Sequence, residues 1–230
     1  MSKSVLLVID AQNDFCPGGA LGVPEGDQTI PVINRIMEKH DLVVATKDWH
    51  PVGHVSFASS HVGRNPGDTV DVGGIEQLLW PDHCIKGGAG AEFHPDLDVR
   101  GIQLILHKGS DPALDSYSAF FENDKKTITG LHGFLQSHGV DTVRLCGLAE
   151  DVCVFFSARD AVNLGYPRRK HPRGESAAVS RGNEEPRHHL RPVYRASVAA
   201  GRPPAAAPRS LRLPPPRVRD AAVGCGAHGR

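Results

Sequence analysis

Three reactive side chains follow three apolar segments that the sequence predicts to be parallel strands. Asp10 comes directly after the first of these strands, Lys108 directly after the third, and Cys153 a few residues after the fourth. The carboxyl ends of parallel strands lie along one edge of a sheet, so side chains far apart in the chain can meet there. A thiol, a carboxylate and an ammonium group in contact form an activated nucleophile with its general base. The pattern therefore predicts acyl transfer from a small amide.

The predicted surroundings of Cys153 favour its thiolate form. This residue lies near the start of a predicted helix, where unpaired backbone N–H groups and the helix dipole stabilise negative charge. The Lys108 ammonium group would add to that effect, and Asp10 could take the thiol proton and later deliver it to a leaving amine. Backbone N–H groups of the turn Gly147-Leu148-Ala149 and of Cys153 could form an oxyanion hole. We therefore expect the N–H groups of Ala149 and Cys153 to bind the oxyanion.

A second group of polar side chains has the spacing of a metal site. Asp48 and His50 stand two residues apart at the predicted end of the second strand, where a turn lets both side chains point toward one ion. His83 can supply a third ligand, and His54 is a further candidate. Two imidazoles and one carboxylate, with open positions for water, suit Zn²⁺, Fe²⁺ or Mn²⁺. We therefore expect one divalent ion as a catalytic or substrate-orienting centre.

Alternating strands and helices would position both groups of side chains. Strands are predicted over 5–9, 42–46, 102–107 and 142–146, and helices over 30–40, 127–138 and 152–164. Asp27 is available to cap the first helix. The segment from Lys47 to Gly90 shows no regular periodicity, and loops of that length in compact domains are usually functional. This order of elements predicts an α/β fold with a doubly wound parallel sheet, a three-layer arrangement of the Rossmann type.

Charge and composition divide the chain near Tyr166. All 230 residues together have a net charge of zero. The segment from Pro167 onward carries 14 of the 26 Lys and Arg and four of the 26 Asp and Glu, a net charge of +10, which leaves −10 for the first 166 residues. It also holds 10 of the 18 prolines and almost no aliphatic run, so it cannot build a packed core. We predict a hydrolase domain over 1–166 and a disordered Arg, Pro and Ala-rich tail over 167–230.

The sequence favours a cytoplasmic protein. Met1 to Lys3 leads straight into the first strand, without the residue order of a signal peptide. No apolar run approaches the ~20 residues needed to span a bilayer, so we expect no membrane partner. Five cysteines at irregular spacings indicate reduced thiols in a reducing compartment. We expect a small-molecule substrate and no specific nucleic-acid partner. Assembly into a homo-oligomer is left open.

Six motifs lie between the first strand and about Tyr166. They are Asp10-Ala11-Gln12-Asn13-Asp14-Phe15, Lys47-Asp48-Trp49-His50-Pro51 with His54-Val55-Ser56-Phe57-Ala58-Ser59, Trp80-Pro81-Asp82-His83-Cys84, Lys108-Gly109, Tyr117-Ser118-Ala119-Phe120 and Gly147-Leu148-Ala149-Glu150-Asp151-Val152-Cys153-Val154. Together, and in the family's order, they resemble the nicotinamidases of the isochorismatase-like hydrolases.

This resemblance implies a reaction and a catalytic triad. Cys153 would be the nucleophile, Asp10 the general base and acid, and Lys108 the third member. The Leu148–Ala149 peptide resembles the family's non-proline cis bond. The implied reaction converts nicotinamide and water to nicotinate and ammonia through a thioester, as a step of NAD salvage. A pyrazinamide-converting activity often accompanies it in this family.

The resemblance also implies how the substrate ring would be held. The metal on the ligands named above, Zn²⁺ first and Fe or Mn as alternatives, would hold the pyridine nitrogen. His54 is the ligand at which family members differ. Phe15 and Trp80 would sandwich the ring, with Tyr117 near the pocket wall. Isochorismatases proper typically lack the metal ligands, so their presence favours a nicotinamidase.

The tail keeps alternative functions open. The family normally continues with another strand and helix, and we find no match to them after Tyr166, so we expect the last strand and helix to be missing. GC-rich DNA translated out of frame yields a similar composition, and we hypothesise a frameshift near Tyr166 to Arg168. The chain could instead be another isochorismatase-like small-amide hydrolase. It could also be an inactive remnant whose basic tail binds nucleic acid non-specifically.

Overall fold

Residues 3–167 are described in a computed structural model, and they form an α/β fold around one parallel sheet. The strands are β1 (Ser4–Ile9), β2 (Val43–Asp48), β3 (Thr69–Val72), β4 (Ile75–Leu78), β5 (Leu104–Lys108) and β6 (Thr142–Gly147), and the helices are α1 (Ile30–Met37), α2 (Leu131–Ser137) and α3 (Phe155–Asn163). Four strands form the sheet in the order β5-β2-β1-β6, and every pair is parallel. The predicted parallel α/β architecture is confirmed.

Both faces of the sheet are covered, as expected of a doubly wound fold. Leu7 and Ile9 of β1 lie in a core cluster with residues of α2 and α3. Leu6 and Val8 point to the opposite face, where they pack in a cluster that includes Ile30 of α1. Side chains of a strand alternate between the two faces of its sheet, so a strand covered on both sides reads as a continuous apolar run. Burial on both faces therefore explains the continuous apolar run from which β1 is predicted.

One helix start and one helix cap differ from the prediction because of local backbone features. The helix predicted from Thr127 begins only at Leu131, since Gly130 precedes it with a left-handed φ of +91°. Thr127 instead donates from its backbone N–H and its hydroxyl to the Asp124 carboxylate. Asp27 does not cap α1, because it lies inside a 3₁₀ turn that directly precedes this helix.

The long segment without periodicity contains one hairpin that the sequence analysis missed. Strands β3 and β4 pair antiparallel and form a small sheet of their own. Their connection is Gly73-Gly74, with φ of +61° and +87°. Two positive φ values are the requirement of a type I′ hairpin turn, which a Gly-Gly pair meets at no steric cost. The pair was therefore the available signal for this hairpin.

Residues 1–2 and 168–230 lie outside the described part of the chain. The predicted tail falls there except for Pro167, and so does Arg168 of the hypothesised frameshift region. The expected loss of the last strand and helix also concerns residues outside the described range. Within residues 3–167, no strand pairs with the outer edge of β6. None of the helices in this range has the length and apolar character that crossing a bilayer requires.

Candidate active site

The three reactive side chains at the strand ends meet in one buried cluster. Lys108 Nζ lies 2.9 Å from Asp10 Oδ2 and donates to Cys153 Sγ at 3.5 Å. Asp10 and Lys108 are fully buried, and Cys153 is 5% exposed. The strands that precede these residues all run parallel, so their carboxyl ends share one edge of the sheet. A nucleophile, a carboxylate and an ammonium group therefore lie within reach of one another.

Asp10 is held at the end of β1 in an unusual backbone conformation. Its φ is +44°, a left-handed value that costs a non-glycine residue about 1–3 kcal/mol and persists only where the surroundings enforce it. The Thr46 hydroxyl donates to Asp10 Oδ1 at 2.6 Å, while the Asp10 N–H donates to the same hydroxyl oxygen at 3.2 Å. Oδ2 makes no hydrogen bond to a described residue, although it forms the ion pair with Lys108. This oxygen is thus left available to a proton.

Lys108 lies at the centre of the cluster. Besides Asp10 and Cys153, its ammonium group pairs with Asp48 Oδ1 and donates to the Ser116 carbonyl oxygen at 3.2 Å. Burial lowers the pKa of Lys108, but the charges of Asp10 and Asp48 raise it more, so that it ends well above its ordinary value. Lys108 therefore stays a cation that neutralises two buried carboxylates.

Cys153 retains its thiol proton in this environment. It lies in a π-helical turn, Glu150–Val154, that leads directly into α3. Burial raises the pKa of the thiol well above its ordinary value; Lys108 lowers it only in part, and Asp10 raises it further. The expected effect of Lys108 on the thiol is therefore present, but removal of the sulfur from water outweighs it. A base must remove this proton.

The backbone before Cys153 has the features that the resemblance implied. The Leu148–Ala149 peptide bond is cis. The Ala149 N–H makes no hydrogen bond to another residue of the described range, while its carbonyl oxygen accepts from Val152 and Val154 at 3.3 and 3.1 Å. The N–H of Ala149 is thus free to bind an oxyanion. The oxyanion role of Ala149 and Cys153 itself stays a prediction.

Asp48, His50 and His83 bring three potential ligand atoms together beside Lys108. Asp48 Oδ2 lies 3.8 Å from His50 Nε2 and 3.7 Å from His83 Nε2, while its other oxygen pairs with Lys108. The Nδ1 atoms lie against backbone carbonyl oxygens, that of Gly109 at 2.9 Å for His50 and that of Pro81 at 2.7 Å for His83. A carbonyl only accepts, so each Nδ1 donates its proton there, which leaves each Nε2 on the side of Asp48.

The charge states of His50 and Asp48 also suit a cation. Burial lowers the pKa of His50 to about 4, so this imidazole is neutral at pH 7, as a ligand must be. Burial lowers the pKa of His83 as well, but Asp48 raises it more. Burial raises the pKa of Asp48, and Lys108 and the imidazoles bring it well below its ordinary value. One carboxylate and two convergent imidazoles thus fit a divalent metal ion.

His54 lies next to this site without joining its ligand atoms. Its ring is 4.3 Å from that of His50, centroid to centroid. Its Nδ1 hydrogen-bonds the Ser56 hydroxyl at 2.7 Å, and its ligand atoms group with those of His50 and Asp115 rather than with Asp48. A role for His54 as a ligand of the same ion stays a prediction.

The aromatic residues predicted to hold a ring fall into two groups. Phe15 is buried with its ring edge-on to His83, 5.7 Å between centroids. Trp80 is half-buried, and its Nε1 donates to the Tyr117 hydroxyl at 3.2 Å. Tyr117 in turn packs against Phe156 at 5.3 Å. Trp80 and Tyr117 therefore contact each other, and Phe15 contacts His83, while their role in holding a ring stays a prediction.

Sequence reasoning assigned no role to two residues that support the metal ligands. Phe57 is fully buried and its ring contacts those of His50, His54 and His83 at 5.5–5.7 Å. Gly109 has a φ of +63°, and a Cβ there would collide with the His50 ring, with Nδ1 only 2.7 Å away. The sequence signal for Gly109 was a glycine directly after a strand. Its contact with His50 was not predictable from the sequence, because the two residues are 59 positions apart.

Comparison with known proteins gives the same family on three grounds. The isochorismatase domain model matches residues 4–189, which extends past the domain end predicted at Tyr166. The nicotinamidase of Escherichia coli K12 is 46% identical over 170 residues, covering 72% of this chain and 79% of that protein. The nicotinamidase of Acinetobacter baylyi is 49% identical over 164 residues, covering 71% and 77%.

Solved structures agree with these sequence matches. An Acinetobacter baumanii nicotinamidase pyrazinamidase has a TM-score of 0.71 at 48% identity, covering 72% of this chain and 80% of that one. A Pyrococcus horikoshii pyrazinamidase in complex with zinc has a TM-score of 0.57 at 37% identity, covering 71% and 80%. The chain belongs to the isochorismatase domain family.

Proposed function

We propose that this chain is an amidohydrolase that converts nicotinamide and water to nicotinate and ammonia. The observation that carries the proposal is the buried contact of Lys108 with Asp10 and Cys153, next to convergent ligand atoms. Relatives at 46% and 49% identity, each matched over more than two thirds of this chain, bear the name nicotinamidase. The activity in their names supports the choice of substrate.

The first half of the reaction begins from the neutral thiol. Asp10 takes the proton from Cys153 Sγ, and the sulfur attacks the carboxamide carbon while the carbonyl electron pair moves to oxygen. The N–H groups of Ala149 and Cys153 stabilise that oxyanion. As the C–N bond breaks, Asp10 returns the proton to nitrogen and ammonia leaves. A thioester on Cys153 remains.

The second half reuses the same groups. Asp10 takes a proton from a water molecule as its oxygen attacks the thioester carbon. The C–S bond then breaks, Asp10 gives its proton to sulfur, and the acid leaves, losing its carboxyl proton to solvent to become nicotinate. Lys108 remains charged throughout and compensates the negative charge that passes between Asp10 and Cys153.

The substrate ring would lie between Phe15 and Trp80, with Tyr117 at the wall. We propose Zn²⁺ as the ion of the Asp48, His50 and His83 site, because two imidazoles and a carboxylate with an open position are typical of catalytic zinc. When bound, the ion supplies a Lewis-acid position that a pyridine nitrogen can occupy. The zinc complex of the Pyrococcus pyrazinamidase supports this choice.

Ammonia release from nicotinamide by the purified full-length protein, loaded with Zn²⁺, tests the proposal. Cys153→Ala should abolish release while Zn²⁺ stays bound, because sulfur is the nucleophile and no metal ligand is lost. Cys146→Ala is the matched control, since this half-buried cysteine lies within β6, and it should keep turnover. Turnover by the Cys153 variant, or none by the zinc-loaded wild type, would refute the proposal.

A further inference from the structure

Two buried polar side chains without an assigned role tie the ends of β1 and β2 together. Gln12 donates from Nε2 to the carbonyl oxygens of Asp48 at 2.8 Å and Ala91 at 2.9 Å, and its Oε1 accepts from the Asp48 N–H at 2.8 Å. Thr46 exchanges two hydrogen bonds with Asp10, through the Asp10 N–H and Oδ1. Both Gln12 and Thr46 are fully buried.

The arrangement is reciprocal between the two strands. The chain leaving β1 carries Asp10 and Gln12, while β2 carries Thr46 and Asp48. Each strand end thus presents one group of the site and one side chain that holds the group of the other strand. The assigned backbone register of the pair runs only to Val8 and Ala45. Beyond that point, hydrogen bonds to side chains take over from the ladder.

These bonds act on two different parts of the site. Thr46 holds a side-chain oxygen of the carboxylate, and so controls the direction in which Asp10 faces Cys153. Gln12 makes no contact with the Asp48 side chain but hydrogen-bonds both the N–H and the carbonyl oxygen of the Asp48 backbone. These two bonds fix the backbone position from which the carboxylate faces the two imidazoles. A buried donor or acceptor left without its partner is unfavourable, so loss of either side chain should disturb the geometry that it holds.

We propose that Gln12 and Thr46 are positioning residues that set the two halves of the site separately, Thr46 for the base Asp10 and Gln12 for the metal ligand Asp48. The kinetic consequence rests on the proposed hydrolysis of nicotinamide. The consequence for Zn²⁺ affinity does not, because it is measured without substrate.

The Thr46 half is tested by steady-state turnover of nicotinamide at saturating Zn²⁺. Thr46→Val keeps the shape and removes the hydroxyl, so kcat should fall roughly tenfold or more while KM and Zn²⁺ affinity stay at wild-type values. Thr46→Ser restores a hydroxyl and should recover most of the loss. If the Val and Ser variants behave alike, or if Zn²⁺ affinity falls as far as kcat, the role of Thr46 is refuted.

The Gln12 half is tested by competition for Zn²⁺ with a chromophoric chelator. Gln12→Met keeps the length of the side chain without its polar atoms and should weaken Zn²⁺ binding by about 10–100-fold. The circular dichroism spectrum and urea unfolding of Gln12→Met, measured beside the Zn²⁺ titration, separate positioning from failure to fold. Gln136→Met, on the exposed face of α2, is the matched control. Wild-type affinity in Gln12→Met would overturn this half.

A wild type that binds Zn²⁺ without hydrolysing nicotinamide would refute the proposed function alone. In that case the rate at which iodoacetamide alkylates Cys153, located by peptide mass spectrometry, replaces kcat. Alkylation should be slower in Thr46→Val than in Thr46→Ser and wild type, because Asp10 then assists removal of the thiol proton less well. Equal rates in all three would refute the role of Thr46, and the Zn²⁺ titrations decide that of Gln12.

Discussion

Replacing Lys108 by methionine tests whether one ammonium group holds two buried carboxylates together. Lys108 is fully buried and pairs with both Asp10 and Asp48. Methionine retains much of the apolar volume but leaves the two carboxylates without their common cation. Removing one partner of a buried ion pair costs about 3–5 kcal/mol. We expect Lys108→Met to lose that amount of unfolding free energy at pH 7, a large part of the ~5–15 kcal/mol margin of a typical domain.

Asp10→Asn should behave very differently from Lys108→Met. It removes one carboxylate but leaves Lys108 paired with Asp48, so the loss should be smaller. The double variant should recover much of the loss of Lys108→Met, because the uncompensated charge at position 10 is gone. The two substitutions should therefore be strongly non-additive, as expected of residues in contact.

Urea unfolding of metal-free protein, followed by circular dichroism, measures these differences. Burial raises the pKa of Asp10 above its unfolded value, and Lys108 opposes that rise. Without Lys108 the carboxyl group takes up a proton on folding, so the deficit of Lys108→Met should shrink as the pH falls from 7 toward 5. Additive losses in the double variant, or a deficit independent of pH, would refute this electrostatic account of Lys108.

Two further substitutions probe the supports of the site. Gly109→Ala should weaken Zn²⁺ binding, because the new Cβ would displace the His50 ring. Gly139 has a similar φ of +66°, but no atom lies within 4 Å of a Cβ there, so Gly139→Ala should only lose stability. Equal Zn²⁺ affinities of the two variants, measured by chelator competition, would contradict this. Ser157→Ala should lower the free energy of unfolding by about 1–3 kcal/mol, since the fully buried Ser157 hydroxyl accepts from the Ala119 N–H at 2.9 Å. Urea unfolding measures that loss, and a change below about 0.5 kcal/mol would show the hydrogen bond to be dispensable.

Parallel strands were predictable because burial on both faces leaves a continuous apolar run. The run from Val5 to Ile9 is such a segment, and the polar residue that ends it, Asp10, marks the edge of the sheet where function is expected. Elements set by single backbone angles were harder to predict. The start of α2 after Gly130 and the hairpin turn at Gly73-Gly74 depend on glycines whose φ values periodicity does not report.

The sequence by itself determined which chemical groups stand at the ends of the parallel strands, because residue type and hydrophobic period are local properties of the chain. Only the tertiary structure decided that Cys153 rests as a thiol and that one lysine serves both carboxylates. The tertiary structure alone shows that Gln12, after β1, hydrogen-bonds Asp48 of β2, and that Thr46 of β2 hydrogen-bonds Asp10. Burial, charge compensation and hydrogen-bond partners are properties of the packed molecule, since they arise between residues that lie 30 to 140 positions apart.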